Sequence, residues 1–293
     1  MSLESTTSWL KFLSLSELDD EIRLILLRAI GLPELIFDAS WSTLTRYVPA
    51  DIAMLIRHGP SNQCLDQIEK TLNWMQEERI QFVSISDSNY PSRLLNVPYP
   101  PLAFFAVGDL SLLNRPTVSL VGSRHPTDEG ISTARSWAKS LIQEPLTLVQ
   151  GMGSGIEYAA VQGAAQSKRG FVVVSNRALS SEDDIEKVSF MRNSGLMMSV
   201  TLPFGDSDRE SAWLQRQKMM VAACEHFVVV EASLFSKSLR LAREAGDVGR
   251  NVMAVPGSIH ETLHKGCHQL IREGAKLVES TQDIVKEMGL RSL

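Results

Sequence analysis

Hydrophobic and polar positions divide the chain into a helical first part and a longer alternating part. Up to about residue 78, apolar residues recur at three- and four-residue steps, as Leu15, Leu18 and Ile22 do, which predicts amphipathic helices. From residue 117, short apolar runs rich in β-branched residues alternate with helical patterns. The pattern predicts an α/β protein: a doubly wound, Rossmann-like parallel sheet preceded by a small helical, SAM-like domain.

Changes in this pattern also predict the domain boundaries. Residues 1–78 are assigned to the helical domain and residues 113–280 to the Rossmann-like core. Between them, residues 79–112 contain two strand-like runs and the rigid proline-rich stretch 98–101, which predicts a bridging extended segment. Residues 281–293 are predicted to be a C-terminal tail, since they are too few for a further domain.

Two of the predicted strands, at residues 117–121 and 146–149, end in glycine-rich turns that lead into helices. The turn residues are Gly122, Ser123 and Arg124 after the first strand, and Gly151, Gly153 and Gly155 after the second. Free backbone N–H groups at the positive end of a helix bind anions. The sequence therefore predicts a phosphate-binding crevice, which suits a nucleotide, a dinucleotide or a nucleic-acid backbone.

Two other interpretations of the glycines remain open. Residues 151–155 read Gly-x-Gly-x-Gly, one residue short of the dinucleotide fingerprint, and no acidic residue ends the next strand at 170–174. This disfavours NAD-type binding. In the second interpretation, the glycines only allow a helix to pack closely against a strand, and the turns bind no ligand.

Cationic side chains near the predicted strand ends are candidates for phosphate contacts. They are Arg124, Arg216, Lys218 and Lys237, and Arg240 starts the same predicted helix as Lys237. Arg216 and Lys218 are two positions apart on a predicted helix at 211–223, so they would point about 200° apart and could not face one ligand. Either this stretch is an extended loop before the helix, or only one of the two residues contacts the ligand. We favour the loop, which would continue from the polar stretch 203–208 through both residues.

Metal binding and catalysis have little support in the sequence. His260, His264 and His268 recur every four residues, but the region 257–266 around them is predicted to be a loop, and no set of acidic ligands lies nearby in the sequence. We therefore predict no metal site and no cofactor. Glu157 and Glu231 follow predicted strand ends and would suit a ribose or a base, yet each would equally cap a helix. We predict a protein that is not an enzyme.

Cysteine usage and apolar runs bear on the compartment. The three cysteines, Cys64, Cys224 and Cys267, form no Cys-x-x-Cys pair and are predicted to be buried or idle thiols of a reducing compartment. No apolar run reaches the roughly 18 residues that span a bilayer, and the N-terminus lacks a signal-peptide pattern. These features predict a cytoplasmic protein without a membrane span.

Charge is unevenly distributed along the chain. The net charge is −5, with 8 Lys and Arg against 14 Asp and Glu in residues 1–109, and 19 against 18 in residues 110–280. This excludes a broad basic footprint on nucleic acid but allows a local basic patch on the core. The acidic stretch 181–186 is predicted to be a solvated helix start.

Ordered motifs from residue 90 to residue 275 resemble the DNA-processing protein A family (DprA, also called Smf). Its Gly-Ser-Arg turn is similar to residues 121–124 with Thr127 and Gly130, and its second glycine turn is similar to residues 151–159. Later matches are the Val-Glu-Ala run at 230–232 and the Val-Pro-Gly run at 255–257.

Several positions depart from the family pattern. Val161 stands in place of a histidine, and Glu157 in place of an aspartate. The family's Phe-Pro-x-Arg-Asn-Arg is similar to residues 213–218, which keep both cations, and its Ser-Gly-Ser loop reads Ser-Lys-Ser around Lys237. Few residues follow the core, so we expect no winged-helix domain of the kind that many members carry.

The resemblance implies a Rossmann-like core that binds single-stranded DNA without catalysis. It further implies roles in natural transformation and recombination, in which the protein protects incoming strands and loads the recombinase RecA, as a homodimer. One alternative is a nucleotide-binding or nucleotide-processing protein similar to the nucleoside-monophosphate phosphoribohydrolases, although residues 256–259 lack the second half of their Pro-Gly-Gly-x-Gly-Thr motif. Another is a degenerate paralogue that acts through protein contacts.

Overall fold

The computed structural model describes residues 2–167, 169–175, 177, 179, 195–201 and 209–290. The predicted helix start at 181–186 and the polar stretch 203–208 lie outside the described residues.

The first part of the chain folds into short helices with a core of their own. The helices are α1 (Leu3–Ser14), α2 (Asp20–Ala29), α3 (Pro33–Asp38), α4 (Trp41–Leu44), α5 (Ala50–His58) and α6 (Asn62–Glu77). Their N-terminal N–H groups are satisfied by side-chain caps, for example Asp19 on α2 and Ser61 on α6. Trp9, Phe12 and Ile36 are fully buried between these helices. The predicted helical domain is present.

A nine-stranded sheet organises the described part of the rest of the chain. Its strands are β1 (Gln81–Ser84), β2 (Ala103–Gly108), β3 (Thr117–Val121), β4 (Thr147–Gly151), β5 (Val172–Val174), β6 (Leu196–Ser199), β7 (His226–Val229), β8 (Asn251–Ala254) and β9 (Lys276–Leu277). The spatial order is β1-β2-β6-β5-β4-β3-β7-β8-β9. Strands β3 to β9 pair in parallel, whereas β1 and β2 are antiparallel to their neighbours.

Helices cover both faces of the parallel sheet. They are α7 (Asp128–Leu141), α8 (Ile156–Ala165), α9 (Arg209–Ala223), α10 (Lys237–Asp247), α11 (Lys265–Arg272) and α12 (Thr281–Glu287). Because successive strand side chains point to opposite faces, Leu120 belongs to one apolar core and its neighbour Val121 to the other. Strands buried on both faces are typical of parallel sheets in α/β proteins. The predicted doubly wound fold is confirmed.

The strand order places a topological switch point between β3 and β7. From β3 the chain builds outward through β4 and β5 to β6, and it then returns to the other side of β3 with β7 and β8. The carboxyl ends of β3 and β7 therefore flank the position where open α/β sheets bind ligands. The first glycine turn follows β3 at this position.

Two predicted boundaries differ from the structure. The segment predicted to be a bridge contributes β1 and β2 to the sheet itself, because Phe105 of β2 pairs with Ser199 of β6. The predicted C-terminal tail contains helix α12, whose Ile284 and Val285 are buried in the core beside α7. Both segments are parts of the core because packing there removes their apolar side chains from water. Across the described ranges, no helix is long and apolar enough to cross a membrane.

Candidate nucleic-acid interface

The first glycine turn is held rigidly at the switch point. The Ser123 N–H donates to the Glu231 carbonyl oxygen at 2.7 Å, and the Ile156 N–H donates to the Ser123 carbonyl oxygen at 3.1 Å. Gly155 has φ +70°, and a Cβ atom there would lie 2.2 Å from the Ser123 oxygen, so only glycine fits. The two predicted glycine turns therefore contact each other, and they are fixed to the segment after β7 and to the start of α8.

The positive end of α7 is occupied by a carboxylate of the chain itself. Glu231 is 2% exposed, and its carboxylate accepts hydrogen bonds from the Thr127 N–H at 3.0 Å and from the Thr127 hydroxyl. Thr127 also caps α7, because its Oγ1 accepts from the Gly130 N–H at 3.0 Å. A negative charge at a helix N-terminus is stabilised by the helix dipole. The anion site predicted here is thus filled internally by Glu231.

The anion site predicted at the second glycine turn is also occupied by a carboxylate of the chain itself. The buried Glu157 carboxylate accepts from the Gly153 N–H at 2.9 Å, and Arg216 donates to it from Nη1 at 2.6 Å and from Nη2 at 3.4 Å. A Cβ atom on Gly151 would lie 2.0 Å from Arg216 Nη1. Gly151 is therefore needed so that the guanidinium can approach the backbone.

Five of the predicted phosphate contacts are corrected by these interactions. The Ser123 and Gly153 N–H groups donate to the chain itself, and Arg216 is only 6% exposed and is neutralised by Glu157. Gly122 and Gly151 are buried as well, so their role in the structure is close packing around the turns. In this structure none of these groups presents charge to a ligand.

The predicted loop through Arg216 and Lys218 is wrong, because both residues lie within helix α9. Their side chains point to opposite sides, as helical spacing requires. Arg216 points inward to Glu157, whereas Lys218 Nζ lies 2.5 Å from Asp20 of α2. Lys218 therefore links α9 to the helical domain and does not join a phosphate track with Arg216.

Arg124 is the predicted cation that remains available at the switch point. It is exposed, and among the described residues no ion pair or side-chain hydrogen bond engages it. It directly follows the Gly122–Ser123 turn at the carboxyl end of β3. The structure thus places one unpaired cation where a Rossmann-like fold binds its ligands.

A second cationic group lies on α10, which follows β7. Lys237 Nζ lies 4.1 Å and Arg240 Cζ 4.4 Å from the ring centroid of Trp213, so both cations make cation–π contacts with one tryptophan. Arg240 Nε also lies 3.4 Å from a Glu244 carboxylate oxygen. Lys237 is a predicted site residue, and Arg240 is a cation of the same predicted helix that was not included among the predicted phosphate contacts. The two residues are three positions apart on α10, so they lie on the same face of the helix.

The histidines and cysteines near this edge are engaged in packing. The rings of His264 and His268 stack with centroids 6.5 Å apart, and His268 Nε2 lies 3.1 Å from the Gly257 oxygen. Burial raises the pKa of the Cys267 thiol, below the switch point, to about 12, and burial does the same for Cys224. Such thiols are not nucleophiles at neutral pH. Within the described ranges, no group of three or more His, Cys, Asp or Glu residues is arranged to hold a metal ion.

Fold and site together define a Rossmann-like α/β protein whose switch point carries exposed cations above internally filled anion sites. The chain belongs to the DNA recombination-mediator protein A family, whose model matches residues 81–289. The resemblance inferred from the motifs is confirmed.

Curated relatives and solved structures agree with this assignment. The DNA processing protein DprA of Streptococcus pneumoniae is 34% identical over 70% of this chain and 73% of its own length, and that of Bacillus subtilis is 27% identical over 79% of each. The X-ray structure of the Streptococcus pneumoniae protein superposes with a TM-score of 0.78 at 27% identity, covering 98% of this chain and 99% of that one. The Helicobacter pylori DNA processing protein A, which binds single-stranded DNA, shares the fold at 21% identity, with a TM-score of 0.61 over 72% of this chain and 97% of that one.

Proposed function

We propose that this protein binds single-stranded DNA in DNA processing, natural transformation and recombination, without catalysing a reaction. The observation that supports the proposal most is Arg124, which is exposed at the switch point and has no ion pair among the described residues, in a chain that belongs to the DNA recombination-mediator protein A family. A charge-assisted contact to a phosphate is among the stronger hydrogen bonds in proteins.

The filled anion sites favour a nucleic-acid backbone over a free nucleotide. A nucleotide seated in the crevice would have to displace the Glu231 carboxylate from Thr127 or the Glu157 carboxylate from Arg216. Leaving such buried charges without their partners is costly. Arg124, Lys237 and Arg240 form the exposed rim of the sheet's carboxyl edge. A DNA strand that runs along this rim needs neither displacement, because the three cations contact its phosphates from outside the crevice.

The small number of rim cations favours single strands over duplex. In the described part of the chain, no helix presents the row of basic side chains with which a recognition helix reads a major groove. The expected binding shows little sequence preference, and its salt dependence is modest, with a slope of about −0.7 per phosphate contact on single strands.

Fluorescence anisotropy with a labelled oligothymidylate and with a duplex of equal length, each at two salt concentrations, tests this proposal. We expect tighter binding of the single strand and a shallow salt slope. Equal affinity for both DNAs, or no binding at low salt, would contradict it. Thermal stabilisation by a mononucleotide or NAD, without any binding of oligonucleotides, would instead favour the nucleotide-binding alternative.

The proposed cellular role is protection of single strands and loading of the recombinase RecA, by a cytoplasmic homodimer. Membership of the recombination-mediator family supports this role. Three measurements test its parts: resistance of bound oligonucleotides to an exonuclease, the rate of RecA assembly on labelled single strands with and without the protein, and the molar mass in solution by light scattering. A monomer that leaves both RecA assembly and nuclease cleavage unchanged would favour a degenerate paralogue.

A further inference from the structure

One aromatic side chain at the carboxyl edge of the sheet is almost completely exposed. Phe235 has 98% of its surface accessible, the highest value among the large hydrophobic side chains of the described residues, and the adjacent Leu234 is 44% exposed. Burial of a phenylalanine side chain stabilises a protein, so an almost fully exposed one leaves a large apolar surface in contact with water.

The loop that carries Phe235 is anchored on both sides. Before it, the Ala232 N–H donates to the Leu263 carbonyl oxygen at 2.6 Å, and the Gly266 N–H donates to the Ala232 carbonyl oxygen at 2.8 Å. After it, Ser236 caps α10 by accepting from the Leu239 N–H at 3.1 Å. The hydrogen bonds therefore anchor the backbone on both sides of Phe235, which lowers the entropy cost of ordering this loop when a partner binds.

Phe235 is two residues before Lys237, and two residues span about 7 Å at most. The Lys237 and Arg240 charges both lie close to the centroid of Trp213, so they are separated by no more than the sum of those two distances. One phosphodiester, or two neighbouring ones, can contact both cations. An aromatic platform beside such a pair has the composition of surfaces that bind single-stranded nucleic acid.

We infer that Phe235 is a stacking platform for one nucleobase of single-stranded DNA, and that Lys237 and Arg240 contact the flanking phosphates. This inference rests on the proposed function and extends the site from Arg124 along the rim to α10. The alternative occupant of an exposed phenylalanine is a second protein chain. The adjacent cations favour the polyanion, because Lys237 is exposed and its charge is not neutralised by an ion pair in the described residues.

The test compares oligothymidylate with an abasic strand of the same length and charge. The wild-type protein and the variants Phe235→Ala and Phe235→Trp are titrated with both. Base stacking on an aromatic side chain contributes about 1–3 kcal/mol, so Phe235→Ala should weaken oligothymidylate binding by about fivefold to a hundredfold. The abasic strand should bind both proteins equally, and Phe235→Trp should retain the preference for bases. Ile259→Ala, which truncates an aliphatic side chain that is 66% exposed, is the matched control and should change nothing.

Salt dependence separates the cations from the aromatic ring. Lys237→Ala and Arg240→Ala should each make the salt slope shallower, by about 0.7 for each lost phosphate contact, whereas Phe235→Ala should leave the slope unchanged.

The outcomes distinguish this inference from the proposed function. If the wild-type protein binds no single-stranded DNA, the proposed function fails. If it binds and Phe235→Ala binds both strands as the wild type does, the stacking platform is refuted while the function stands. If Phe235→Ala lowers the molar mass in solution and leaves affinity for short oligonucleotides unchanged, Phe235 contacts a second copy of the chain, and the inference is also refuted.

Discussion

Arg124 and Arg216 look equivalent in the sequence and have opposite roles in the structure. Both fall on cationic positions of the family motifs, and both lie near a glycine turn at the same edge of the sheet. Arg124 is exposed and unpaired within the described residues, whereas Arg216 is buried and bound to Glu157. A motif cation is therefore a ligand contact only when no carboxylate of the chain has already neutralised it.

The same contrast distinguishes two lysines. Lys237 is exposed above Trp213 on the rim, while Lys218 is bound to Asp20 of the helical domain. The fold uses Arg216 and Lys218 to hold its parts together, and it leaves Arg124 and Lys237 exposed for a partner. Arg240 is exposed beside Lys237, and its ion pair with Glu244 is a half-exposed surface contact that contributes little.

The largest expected effect follows from removal of the buried guanidinium. Arg216→Met should lower the free energy of unfolding by about 3–5 kcal/mol, because Glu157 would remain buried without its partner. Chemical denaturation measures the loss. The double variant with Glu157→Gln is the control and should recover part of the stability, since it removes the uncompensated charge. An unchanged unfolding curve for Arg216→Met would show that the ion pair contributes nothing to stability.

The second-largest expected effect comes from a substitution that blocks the close approach of Arg216 to the backbone of Gly151. Gly151→Ala places a Cβ atom 2.0 Å from Arg216 Nη1, so it should destabilise the protein by about 1–3 kcal/mol through overpacking. In an Arg216→Ala background the same substitution should cost less, because the nearest clashing atom is gone and the contact with Glu157 Oε2, at 2.6 Å, is the closest one that remains. A double-mutant cycle measured by denaturation isolates this coupling. Additive losses would mean that another contact makes glycine necessary.

Removal of the exposed arginine should affect binding and leave stability unchanged. Arg124→Ala should lower affinity for single-stranded DNA by about tenfold to a hundredfold, since a hydrogen bond to a charged group contributes roughly 1.5–3 kcal/mol. Its thermal unfolding curve should match the wild type. Arg115→Ala is the matched control, because Arg115 is exposed at the opposite end of the same strand. Equal losses for the two variants, or unfolding of Arg124→Ala, would refute a specific role for Arg124.

The smallest expected effect concerns the ion pair between the two domains. Lys218→Ala breaks a half-exposed contact with Asp20, so it should lower the free energy of unfolding by less than about 1 kcal/mol. DNA affinity should stay within experimental error of the wild type. A loss of affinity as large as that of Arg124→Ala would return Lys218 to the binding site.

Predictions based on local patterns agree well with the structure. The strand at 117–121, the helices after both glycine turns and the helical first domain were all found at or close to their predicted positions. Family membership also followed from ordered motifs along the chain. The prediction of a loop through Arg216 was wrong. It assumed that both cations contact the ligand, and it therefore gave less weight to the helical pattern of residues 211–223.

Periodic apolar positions and glycines at strand ends determined the fold class by themselves, because they act through the backbone within a few residues. Only the tertiary structure decided which charges remain free. Glu157 and Arg216 are 59 positions apart in the chain, Thr127 and Glu231 are 104 apart, and Asp20 and Lys218 are 198 apart. No local pattern encodes such pairs, since each depends on strands and helices that the folded sheet brings together. The exposed rim of Arg124, Lys237 and Arg240 is what those distant pairings leave for a ligand.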